Sequence, residues 1–172
     1  VTPAQRATAV NDLRRHIQAA ITVGESLGIK NLFYNEGYVD LLTADKLGHV
    51  YNHATQGPDG YDKEGEWCEY KTINAKSRDG EGFPLWKGGT FQFHWLSRTK
   101  IEKYSKTSKF FFTLRDGADI CEVWSLDNKD IFPLLRKKAE EKGTLVEGKK
   151  KINAHLSFTL EQVKALGARR EY

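Results

Sequence analysis

Methionine is absent from the 172 residues, and cysteine occurs only twice, at Cys68 and Cys121. Both cysteines sit in strand-like apolar runs without CxxC spacing. That excludes a cysteine-rich zinc site and gives no disulfide framework; they read as buried thiols in a reducing compartment. No run approaches the roughly 18 consecutive apolar residues that a membrane-spanning helix requires. The first residues, Val1-Thr2-Pro3-Ala4, lack the apolar stretch of a secretory signal, and the missing methionine fits removal of an initiator. The expectation is a soluble, cytoplasmic protein with no membrane partner. Glycines form neither a GxGxxG nor a P-loop pattern, so no nucleotide cofactor is expected. No GxSxG elbow or Cys/His pair supports acyl transfer.

What is present suffices for a packed core. Hydrophobic residues make up 39% and aromatics 12%, which excludes a fully disordered chain, and the length fits a single domain, 1–172. The charge of +4, from 27 basic and 23 acidic residues, hints at an anionic partner.

Periodicity divides the chain coarsely. Residues 2–23 read as a helix, with Thr2 as cap, Pro3 in the first turn, and Val10, Leu13, Ile17, Ala20 and Ile21 at helical spacing. A second helix is expected over 36–47, stopped at Gly48. Strands are expected over 67–73, 90–96, 109–114 and 119–126, the last two joined at Asp116-Gly117. A long glycine-rich loop fills 74–90. Ser97 caps a basic helix to Lys106, another helix runs from Asp127 or Asn128 to about Lys142, and a strand at 152–158 precedes a helix at 159–166. This order suggests an α/β fold with a mixed central sheet flanked by helices.

The informative stretch is Pro58-Asp59-Gly60-Tyr61-Asp62-Lys63-Glu64-Gly65-Glu66-Trp67-Cys68-Glu69-Tyr70-Lys71. Side chains alternate in a strand, so Glu69 and Lys71 share one face and Cys68 and Tyr70 the other. If Gly65 turns the chain back, Asp59 or Asp62 lies across from Glu69. Carboxylates held that close repel unless a cation joins them. Hard oxygen ligands select Mg²⁺, with Mn²⁺ as substitute. Such an ion acidifies a bound water and stabilises a phosphoryl oxyanion, while a lysine beside it orients or deprotonates the water.

Pro58-Asp59 followed by Glu69-Tyr70-Lys71 resembles the PD-(D/E)xK signature of restriction-endonuclease-like nucleases. Asn35-Glu36-Gly37-Tyr38, entering a helix, resembles the family's first core helix, which often donates one more acid. The resemblance spans the core, 36–114, about half of the chain; residues 1–30 form a helical segment before it, and 115–172 add strands and helices. It implies Asp59 and Glu69 as metal ligands, Lys71 as the catalytic lysine and Glu36 as a further ligand. Asp62 remains an alternative to Asp59, which has the preceding proline and the commoner spacing. Glu36 is equally an N-terminal carboxylate favoured by the helix dipole.

Basic segments flank the acids. Arg98, Lys100, Lys103, Lys106 and Lys109 oppose one acid, Glu102, and Lys149 to Lys151 lie in an expected loop. Such groups contact phosphates. The loop after the catalytic strand carries Lys76, Arg78, Trp86 and Lys87, placed to enter a groove, though Trp86 also suits a core. The histidines lack metal-ligand spacing apart from His49 and His53. The expected function is a Mg²⁺-dependent endonuclease acting on double-stranded DNA, of type II restriction type. It would work as a homodimer, with the first helix as interface, and leave a 5′-phosphate and a 3′-hydroxyl. A junction resolvase or repair nuclease is the second reading, and a non-catalytic DNA-binding module the third.

Overall fold

The computed structural model describes residues 1–30, 32–33, 37–54, 56–86, 88–146 and 154–172. It divides into two compact units, Val1–Tyr38 and Val39–Tyr172. The first is built on α1 (Pro3–Ser26), which ends three residues beyond the expected position 23. Thr2 Oγ1 accepts from Gln5 N while the Gln5 side chain accepts from Thr2 N, a reciprocal capping box. The spacing that predicts this helix is present, yet Val10, Leu13 and Ile17 are exposed.

Helix α2 (Gly37–Leu47) leads into β1 (Val50–Tyr51), β2 (Gly60–Tyr61) and β3 (Trp67–Asn74). Next come β4 (Ser77–Arg78), β5 (Pro84–Leu85), β6 (Phe91–Phe93), α3 (Arg98–Lys106), β7 (Lys109–Asp116) and β8 (Asp119–Asp127). The chain closes with α4 (Asn128–Glu141), β9 (Leu156–Phe158), α5 (Leu160–Ala165) and β10 (Arg169–Arg170). The main sheet has the order β1-β2-β3-β7-β8-β10, with β3 and β7 parallel and the other pairs antiparallel. It is the mixed, helix-flanked sheet expected. Two expectations change in detail. The loop over 74–90 contains a small β4–β5 hairpin, and β6 pairs with β9 outside the main sheet. The start of the strand expected at 152–158 lies outside the described residues.

Burial follows the alternation of β7, whose run of phenylalanines is covered on both faces, as a central strand requires. Phe110, Phe112 and Leu114 enter the larger core with Phe91, Phe93 and the inner faces of α3 and α4. Phe111 points the other way, into a smaller cluster with Ala44, Cys68, Tyr70 and Val123. Since Glu69 pairs with Phe110 and Lys71 with Phe112 in parallel register, the two charged side chains of β3 face the larger, aromatic side.

Candidate active site

The hairpin from β2 to β3 sets the geometry. Gly65 adopts φ 83°, a left-handed conformation that glycine accepts without steric cost, and its N–H donates to Asp62 O at 3.0 Å. Asp62 Oδ1 accepts from Glu64 N (3.1 Å) and Glu66 N (2.8 Å). Asp62 therefore closes the turn, and the alternative placing it across from Glu69 is corrected. Gly60 pairs with Cys68 and Tyr61 with Trp67, so Asp59 stands at the level of Glu69. Its backbone N–H donates to Cys68 O, and its Oδ2 accepts from Tyr70 N, each at 3.0 Å.

Asp59, Glu69 and Lys71 meet. Lys71 Nζ lies 3.3 Å from Glu69 Oε2 and 3.9 Å from Asp59 Oδ2, and donates to Tyr70 O at 2.9 Å. A second ammonium completes the group: Lys103 Nζ lies 3.2 Å from Asp59 Oδ1 and forms a close ion pair with Glu69 Oε1. Glu69 is only 1% exposed. A charge so deep is tolerated only beside compensating charges.

The electrostatics follow from crowding. Burial, then Asp59, pushes the Glu69 carboxyl up to about 7. Burial acts upward on Asp59 too, but Lys71, Lys103 and the Tyr70 N–H hold it below the usual carboxylate range. Burial lowers Lys71, yet Tyr104, Glu69 and Asp59 prevail and keep it above the ordinary lysine value. Asp40, half-buried on α2, is raised to about 8 by burial and then by Asp59. It belongs to the same electrostatic cluster, a place that no signal in the sequence assigns to it.

The remaining candidates are distributed as follows. Glu36, Lys87, Lys149, Lys150 and Lys151 lie outside the described residues. Lys76 Nζ donates to Gly88 O at 3.4 Å, Arg78 pairs with Asp116, and Arg98 Nε pairs with Glu102 Oε1 at 3.0 Å. Lys100 Nζ donates to His94 O at 2.8 Å. Trp86 packs against the larger core and donates its indole N–H to Arg115 O at 3.0 Å. His49 Nδ1 lies 3.0 Å from the Tyr70 hydroxyl, a structural contact. Lys103, expected only as a phosphate contact, joins Asp40 as a residue whose place sequence reasoning misses. No local signal carries it, because the helix period does not say which basic residue of α3 meets β3.

Among the described residues, no three His, Cys, Asp or Glu side chains form a ready-made metal cage. Magnesium does not require one, since it keeps several waters and takes one or two carboxylates plus substrate phosphate oxygens. The donor set fits such an ion. Asp59 and Glu69 offer hard oxygens, and Glu69 Oε1 is buried without a hydrogen bond of ordinary geometry.

A mixed sheet in which a Pro-Asp hairpin and a Glu-x-Lys strand converge defines a restriction-endonuclease-like nuclease. The chain belongs to the restriction endonuclease PvuII family, whose model matches residues 5–169. It is a type II restriction endonuclease, a DNA-binding hydrolase that cleaves double-stranded DNA site-specifically. No match is found among curated proteins.

Proposed function

We propose that cleavage takes place at the Asp59–Glu69–Lys71 cluster, and that Asp59 and Glu69 hold Mg²⁺, with Mn²⁺ able to replace it. The convergence of these three side chains on one end of the β2–β3 hairpin carries the reading. When bound, the ion supplies an acidified water and a positive charge for the phosphoryl oxygens. Asp59, kept ionised by its lysines, would offer the ion one oxygen ligand. Glu69 would offer a second from β3. Without a metal ion, the neighbouring carboxylates favour the protonated form of Lys71. Beside a bound ion it would serve as a hydrogen-bond donor to the attacked phosphate and orient or deprotonate the attacking water. In-line attack by water on phosphorus would break the P–O3′ bond, with the water giving up a proton and the departing 3′-oxygen taking one up, to leave a 5′-phosphate and a 3′-hydroxyl.

Glu36 is proposed as a further contributor to the metal, and Lys76, Arg78, Lys87, Arg98, Lys100 and Lys149 to Lys151 as contributors to DNA binding. Two sites are needed to cut both strands together, and the exposed Val10, Leu13 and Ile17 of α1 support a homodimer. Among the described residues no helix is long and apolar enough to cross a membrane. Free Cys68 and Cys121 fit a reducing cytoplasm.

The test is incubation of plasmid DNA with Mg²⁺, Mn²⁺ or a chelator, followed by sequencing of the ends. Discrete fragments with one flanking sequence, abolished by chelator, are expected. Cleavage undiminished by chelator contradicts the metal reading.

A further inference from the structure

The Asp59–Glu69 pair is held by two ammonium groups that take different oxygens. Lys71 faces Asp59 Oδ2 and Glu69 Oε2, and a third contact, to Tyr70 O, fixes it. Lys103 faces Asp59 Oδ1 and Glu69 Oε1. Among the described residues its ammonium has no other partner. It also reaches in from α3 on a four-carbon stem, with a side chain 26% exposed against 16% for Lys71. Both ammonium groups bridge the acids, and Lys103 is the more exposed of the two. A divalent cation held by both carboxylates would compete with an ammonium for them, since two cations that close repel.

We propose that Lys103 is a displaceable counter-ion of the active site: it holds Asp59 and Glu69 together when no divalent cation is bound, and competes with that cation for them. This rests on the reading that the two acids bind metal. Lys71, tied to its own strand, stays in place through the exchange. Lys103 swings outward and remains near the site on the helix that carries Lys100. Lys103 is therefore a positioning residue whose removal strengthens metal binding and weakens the protein that lacks metal.

The experiment is calorimetric titration of Mn²⁺ into the DNA-free protein, paired with thermal denaturation, for the parent, Lys103→Met, Lys103→Gln and Asp59→Asn. Gln keeps a donor for Glu69, so it decides the matter if the Met variant fails to fold. Both Lys103 variants are expected to bind Mn²⁺ about tenfold or more tightly than the parent, the scale of one charge-assisted contact removed. They should melt lower without metal and gain more on its addition. Asp59→Asn should bind more weakly than the parent. Lys103 variants with unchanged or weaker affinity, beside a weakened Asp59→Asn, overturn the proposal alone. If Asp59→Asn and the Lys103 variants all bind like the parent, the metal reading falls with it.

Discussion

The two faces of β3 are both withdrawn from water, but by opposite means. On one, Cys68 and Tyr70 pack with Ala44, Phe111 and Val123, and burial itself is the driving force. On the other, Glu69 and Lys71 are held beneath Asp59 and Lys103, with the Phe93 ring centroid 5.5 Å from Lys71 Nζ. Desolvating these charges costs free energy that their mutual attraction only offsets. One face therefore stabilises the strand, and the other is carried by it. Changes on the apolar face should act on folding, and changes on the ionic face on chemistry.

The largest effect should come from the ionic face. Lys71→Met or Glu69→Gln is expected to lower the cleavage rate by on the order of 10²–10³-fold or more, the scale of losing one preorganised electrostatic group. Initial rates on a plasmid carrying the mapped site measure this. Folded variants cutting at the parent's rate would erase the division between the faces. Across the sheet, Phe111→Ala should cost about 3–5 kcal/mol of stability in urea titrations, with little change in rate per folded molecule. Loss of activity without loss of stability would break the comparison from that side.

Asp40 sharpens it through pH. Its folded value, about 8, exceeds the ordinary 3.8. The folded chain therefore holds a proton that the unfolded chain has released between these values, and stability falls as pH rises through the window. Asp40→Asn removes this loss. The variant should match the parent near pH 4 and exceed it by a few kcal/mol near pH 9, at about 1.36 kcal/mol per pKa unit as an upper bound. Denaturation curves at both pH values decide the point. The smallest change is Tyr70→Phe, which removes the hydroxyl contact to His49 Nδ1 at 3.0 Å and should cost about 1 kcal/mol with cleavage unaffected.

What the sequence discloses follows the range of the interactions. Glu69 and Lys71 on one face follow from strand alternation alone, whereas the glycine turn leaves Asp59 or Asp62 across from Glu69 and only the preceding proline and the family spacing favour Asp59. The helices α1, α3 and α5 announce themselves by the caps Thr2, Ser97 and Thr159. The two-residue strands β1, β2 and β10 are too short for any period to mark. They exist because a neighbouring strand offers an edge, the long β3 to β2, the long β8 to β10, and β2 in turn to β1. Asp62 misleads for a local reason, since an aspartate before a tight turn serves backbone N–H groups as readily as a metal. Asp40 and Lys103 stay hidden because their role depends on where α2 and α3 meet the sheet, 19 and 44 residues from Asp59 in the chain.

Anomalous diffraction from crystals soaked in Mn²⁺ tests the central claim most directly. The account predicts a peak within coordination distance of both Asp59 and Glu69, with the Lys71 ammonium still beside them. A peak elsewhere in the molecule, with that carboxylate pair bare at saturating metal, would contradict it.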